Sequence, residues 1–222
     1  MKLVTESYAE QVKVWPREGR HILAQFDEET IVVYQAYRPS IGRYAVENGR
    51  YGGEFSYSRM SWVKPNFLWM MYRSGWGTKE GQEVTLGLRI RRSFFDRILA
   101  EAVPSSWDAD RFATREEWSR AVEQSSVRLQ WDPDHDPSGG KMERRAIQLG
   151  LRGEVLEAFG QREIVEILDL SDFVAEQRER LVSGEKPALV TPRERVYRPA
   201  EPAIAGSLRL GDFGERSGDS NE

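Results

Sequence analysis

Residues 30–37, TIVVYQAY, form the most sustained apolar run in the chain. The run is short, β-branched and aromatic, and reads as a central strand buried on both faces. Arg38-Pro39 ends it, because a residue before proline is pushed out of helical conformation. Residues 40–48 then place Ile41, Tyr44 and Ala45 at helical spacing, with Ser40 as N-cap and Gly49 as a left-handed C-cap. Residues 55–62 alternate, with Phe55, Tyr57, Arg59 and Ser61 on one face of an expected second strand. Lys64-Pro65 opens a helix to about Arg73 that is apolar nearly all round, hence buried, and Gly75 and Gly77 stop it.

Further along, Val84, Leu86, Leu88 and Ile90 alternate with polar residues, the pattern of a half-buried strand over 83–92. Residues 93–103 predict a helix with Phe94, Ile98 and Leu99 inward. Residues 109–124 predict an exposed one, with Thr114 and Glu117 as a capping box. Residues 127–131 read as a strand; 141–151 suit either helix or strand, and are read as a short helix running into an extended piece at 147–149. Residues 154–159 read as helix, 163–168 as the last strand and 171–182 as an amphipathic helix capped by Ser171. From residue 183 the pattern lapses into Pro, Gly, Ser and Glu, the composition of an extended or disordered tail. The fold class is therefore α+β: a single domain over 1–182 with a mixed or antiparallel sheet and flanking helices, and a tail over 183–222.

Composition narrows the chemistry. Charged residues make up 31% of the 222 and mean hydropathy is −0.62, and no run approaches a membrane span. The N-terminus lacks the apolar stretch of a leader, so a cytoplasmic protein is expected. With no cysteine and two histidines, thiolate chemistry and a histidine-rich metal centre are not expected. The net charge of −4 argues against a general nucleic-acid binder but leaves room for a local basic cleft.

Such a cleft is suggested by residues 56–79, SYSRMSWVKPNFLWMMYRSGWGTK, which carry Trp62, Trp69 and Trp76 with Arg59, Lys64, Arg73 and Lys79 and no acid. Cations set in apolar sequence need partners, either distant acids or an anionic ligand. Tyr37 and Arg38, at the end of the best strand, could clamp a phosphate or carboxylate, since a guanidinium suits bidentate anion contacts. Arg38 in a surface ion pair is the plain alternative. Trp62 is a candidate to stack on a ring, whereas Trp69 is expected as core filling. Residues 143–150, ERRAIQLG, add Arg144, Arg145 and Gln148. Residues 130–136, QWDPDHD, set three acids beside one histidine, as a metal loop or a general-base cluster would, but the glycine and distal glutamate of a calcium loop are missing from 132–140, DPDHDPSGG, and an exposed turn rich in Asp and Pro is the plainer reading. Glu163, at a strand start, could hold a ribose hydroxyl or stabilise a developing oxocarbenium ion. No dinucleotide fingerprint, phosphate-binding P-loop, zincin motif or nucleophile elbow is present.

The stretches IVVYQAYRPSIGRYAVENGRY, SRMSWVKPNFLWMMYRSGWGTKEGQE, VRLQWDPDHD and RRAIQLGLRG, within about residues 30–175, resemble the domain-of-unknown-function family numbered 4291. More distantly, the order of strand, helix, serine-bearing strand and buried helix resembles the first half of an ADP-ribosyltransferase domain. That resemblance implies NAD as cofactor and transfer of ADP-ribose by cleavage of the nicotinamide–ribose bond; no metal is expected from the residue content. Gln35 or Arg38 would stand in the first-strand role, Ser61 in the second and Glu163 as the late carboxylate. Arg38, Arg59 and Lys64, with Arg73 and Gln148 nearby, would hold the pyrophosphate, and Trp62 or Tyr37 would stack. The alternatives are a non-enzymatic module for a nucleic-acid end or single strand, to which the same aromatics and cations are suited, and a protein whose tryptophan-rich segment is only core.

Overall fold

The computed structural model describes residues 3–184 and 188–211. The chain opens with β1 (Thr5–Ser7), α1 (Tyr8–Val14), β2 (Ile22–Ala24), β3 (Thr30–Tyr37) and α2 (Pro39–Asn48). It continues through β4 (Ser61–Val63), α3 (Phe67–Ser74), β5 (Val84–Arg91), α4 (Arg92–Ala100), β6 (Val103–Pro104) and α5 (Arg115–Gln124). Then come β7 (Val127–His135), β8 (Lys141–Leu151), α6 (Gly153–Ala158), a π-helical turn (Phe159–Glu163), β9 (Ile164–Asp169) and α7 (Ser171–Val182). The last elements are β10 (Val190–Pro192), β11 (Arg195–Tyr197) and α8 (Pro202–Leu208).

Two sheets organise the molecule. An antiparallel three-stranded sheet runs β3-β5-β9, and a four-stranded sheet runs β4-β8-β7-β6, with β6 parallel to β7. They meet at one antiparallel bridge: Tyr34 N–H donates to the Lys64 carbonyl at 2.7 Å, and Lys64 N–H to the Tyr34 carbonyl at 3.2 Å. As its apolar run predicts, β3 is buried on both faces. Ile31 and Val33 pack with Leu86, Leu88, Ile90, Phe95 and Leu149, while Val32 and Tyr34 pack with Phe67, Met71, Leu170 and Val174. Each such side chain taken from water is worth about 1.5–3 kcal/mol before entropy is counted, so β3 is the element both cores depend on.

Local signals hold at several ends. Asn66 caps α3 by accepting from Trp69 N–H at 2.7 Å, and Gly75 closes it at φ 57°. Thr114 caps α5 by accepting from Glu117 N–H at 3.1 Å. At α2, Gly49 takes the left-handed C-cap at φ 65°, but the N-cap is Arg38, and the Ser40 hydroxyl donates to Glu54 at 2.7 Å instead.

Three further expectations are corrected. Residues 141–151 are all strand, because β7 pairs with them from Val127–Leu151 to His135–Lys141. Most of residues 55–62 is loop. Its alternating aromatics form a plug, with Tyr51 stacked on Phe55 at 4.3 Å and Phe55 against Tyr57 at 4.8 Å. The expected tail is part of the body: β10 pairs with β1, β11 with β2, and Tyr197 is fully buried with its hydroxyl donating to Asp96 at 2.6 Å. Of that stretch, 185–187 and 212–222 lie outside the described residues.

Candidate functional site

A cavity of about 860 Å³ lies at the seam of the two sheets, a size suited to a small-molecule ligand. Its walls come from the end of β3, the 54–60 loop, β4, α3, β7 and β8. In the β4–β8 register Trp62 faces Gly150 and Val63 faces Leu149, which sets Lys64 beside Gln148, the partner of Gln130 on β7. Side chains two apart on a strand share a face. Trp62, Lys64, Gln148, Gln130 and Asp132 therefore line one surface across three strands. Gly150 lets them close up, since a Cβ there would sit 2.6 Å from Met60 Sδ and 3.0 Å from the Trp62 ring.

Asp132 is held by two amides: Gln130 Nε2 donates to Oδ1 at 2.9 Å and Gln148 Nε2 to Oδ2 at 2.7 Å. Across the cavity, Gln35 is the hub of a closed network. Its carbonyl accepts from the Tyr51 hydroxyl at 2.7 Å, and its amide lies 2.8 Å from Ser61 Oγ, 3.0 Å from the Trp62 carbonyl and 3.1 Å from the Tyr37 hydroxyl. The Tyr37 hydroxyl and Ser61 Oγ are 2.5 Å apart. Burial pushes the Tyr37 phenol up to about 12, against hydrogen bonds from Ser61 and Gln35 that lower it, so Tyr37 is neutral at ordinary pH. Gln35 and Ser61 thus fix Tyr37 and β4.

The cations differ in their partners. Arg38 pairs with Glu54 at 2.7 Å, and both side chains are more than half exposed, so the pair contributes little. Arg59 and Arg73 are exposed at the rim and have no ion pair among the described residues. Lys64 is only 5% exposed, and its ammonium has neither ion pair nor hydrogen bond among the described residues. Burial first, then the Arg73 guanidinium, push its pKa down to about 8, with Asp132 pulling the other way.

Tyr37, Arg38, Arg59, Trp62, Lys64, Arg73, Gln148, Gln35 and Ser61 all line this cavity. Glu163 does not. It ends the π-helical turn and accepts from Arg91 at 3.1 Å. In the antiparallel β5–β9 register, the start of β9 lies beside the end of β5, whereas Tyr37 lies beside its start at Val84. Those ends are about 24 Å apart at the usual ~3.4 Å rise, so the late carboxylate is absent from the cavity. Asp132 and Gln130 are cavity residues that the sequence marked only as part of an acid-rich stretch read as an exposed turn, not as part of this cleft. The only signal was the two-residue spacing from Gln130, which the turn-like DPDHD obscured. Trp69, expected as core, is 6% exposed yet also lines the cavity, and its buried Nε1–H has no hydrogen-bond partner among the described residues. Its ring stacks with Tyr72 at 5.5 Å and His135 at 5.2 Å. Among the described residues, no group of three or more His, Asp or Glu is arranged to hold a metal, and Asp134 is committed to Arg144 at 2.5 Å. No helix among them is long and apolar enough to cross a membrane.

Mixed α/β architecture with a cation-rich cavity at a sheet seam defines the class of protein. The chain belongs to the family described as Domain of unknown function (DUF4291), whose model matches residues 21–197 and so includes β2 and β11. No curated protein matches it.

Proposed function

We propose that the seam cavity binds a nucleotide, with the phosphates on Lys64, Arg73, Arg59 and Arg38 and a neutral donor end on Asp132. The observation that carries this reading is Lys64. A buried ammonium without a carboxylate is costly, and an anion from solution is the partner that offsets the cost. Arginines flank it, and guanidinium groups take phosphate oxygens in pairs. Asp132, held rigid by Gln130 and Gln148, is a carboxylate that accepts from ribose hydroxyls or base amino groups. Trp62 and Tyr37 supply ring faces. A simple anion site would have no use for that fixed acceptor.

NAD falls within this ligand class. Cleaving its nicotinamide–ribose bond would call on a carboxylate near the ribose. In this reading that group is Asp132, the cavity carboxylate without an ion-pair partner among the described residues, and not Glu163.

Calorimetry with ADP, NAD, pyrophosphate and a single-stranded oligonucleotide tests the proposal. ADP or NAD should bind more tightly than pyrophosphate, and Lys64→Met should weaken binding at least tenfold. Absence of heat with every nucleotide would refute it. Binding confined to the oligonucleotide, with steep salt dependence, would move the reading to a nucleic-acid module.

A further inference from the structure

We propose that Lys64 Nζ is a nucleophile, and that the cavity captures a nucleotide bearing a carbonyl group, such as the open-chain aldehyde of a free ribose, as an imine. This rests on the nucleotide reading of the cavity and goes beyond it by assigning a covalent step to one atom. Most lysines are poor nucleophiles at neutral pH because they are protonated and solvated. Lysine becomes reactive when it is desolvated or set beside another cation. Lys64 meets both conditions: it is 5% exposed, and Arg73 from α3 is the charge that most opposes its protonation. The amine also has no hydrogen bond among the described residues that would tie up its lone pair.

Position supports the same assignment. The Lys64 backbone is clamped to Tyr34 by both bridge hydrogen bonds, and Pro65 and the capped start of α3 follow. The base of the side chain is thus fixed while its amine reaches the cavity wall that Gln148, Gln130 and Asp132 share. The charged and titratable groups around that wall are Arg73 on α3, Asp132 on β7, Tyr37 and Arg38 at the end of β3, and Glu54 and Arg59 on the loop. A phosphate held by the arginines would bring a nearby carbonyl carbon to the amine as an intramolecular reactant, which is where most of the acceleration arises. The neutral amine adds to the carbonyl carbon, forming the C–N bond. The carbonyl oxygen then leaves as water with the two protons that the nitrogen gives up, and a C=N bond remains. No oxidant, reductant or second substrate is needed.

Borohydride trapping with ADP-ribose is the test, run beside calorimetry with ADP, which has no free carbonyl. Hydride adds to the imine carbon and fixes the ligand as a secondary amine that peptide mass spectrometry can place. The expected result is one ADP-ribose adduct on Lys64, at least tenfold above any on the exposed Lys13, Lys79 and Lys141. Excess ADP should suppress it and Lys64→Arg should lack it. With ADP-ribose well below saturation, so that the free protein's titration governs, its rate should rise through pH 8 and level off, whereas ordinary lysines keep gaining reactivity toward pH 10. ADP binding without an adduct at Lys64, or with adducts spread evenly over exposed lysines, would overturn the nucleophile and leave the nucleotide site standing. Loss of ADP binding together with the adduct would overturn both. Because the adduct is mapped on the unaltered protein, misfolding of a variant does not decide the outcome.

Discussion

Arg144 and Lys64 are buried cations on the same four-stranded sheet, and their surroundings are opposite. Arg144, on β8, donates to Asp134 on β7 from Nε at 2.8 Å and Nη2 at 2.5 Å, and to the Pro16 carbonyl at 2.6 Å. Its guanidinium also lies over the Trp15 ring at 5.4 Å. Lys64, just past β4, has none of this. The chain is able to build a matched acid for an inward cation and does so at Arg144. At Lys64 it places two glutamines and an aspartate already bound to them. The difference separates a cation that holds the fold from one kept for a ligand.

Substitutions that break this comparison should differ in sign. Arg144→Ala leaves Asp134 buried without its partner and should lower stability by about 3–5 kcal/mol in urea unfolding. Lys64→Met removes an unpaired buried charge and should raise stability by about 1–3 kcal/mol while weakening nucleotide binding. A Lys64→Met variant less stable than the parent would mean that the amine has a structural partner. The pH dependence sharpens the same point. Lys64 titrates near 8 folded and at 10.5 in an open chain, so between those values the unfolded state binds more protons. Stability from this group therefore rises with pH across that window, by up to about 1.4 kcal/mol per pH unit. Nucleotide affinity moves the other way and falls as pH rises through 8, because the ammonium is lost. Parallel thermal melts and calorimetry from pH 7 to 10 check both slopes. The smallest effect is expected at Arg38→Ala, whose exposed pair with Glu54 should leave stability within about 0.5 kcal/mol, while binding weakens severalfold.

How far the sequence could be read follows from how local each determinant is. The apolar run at Thr30–Tyr37 and the glycine that stops α3 lie within a few residues of what they determine, and both stand as read, whereas α3 starts at Phe67 behind Asn66 and not at Lys64-Pro65, because Lys64 is drawn into the bridge with Tyr34. β8 was obscured because Arg144 faces inward, as only Asp134 on the neighbouring strand makes possible. Residues 190–197 showed no period because their order comes from pairing with β1 and β2, at the other end of the chain. The same holds for the cavity. The concentration of Arg59, Trp62, Lys64 and Arg73 without acids was visible in one stretch, and the β3 end supplied Gln35, Tyr37 and Arg38. Asp132 joins them only through the β4-β8-β7 register, and Glu163 departs only through that of β5 and β9.

The most direct measurement is the titration of Lys64 itself, by NMR of protein labelled at the lysine ε-carbon, with and without saturating ADP. A free-protein midpoint near 8 that moves upward when ADP binds is the expected result. A midpoint at the ordinary 10.5, unmoved by ADP, would contradict a cation held in reserve for an anionic ligand.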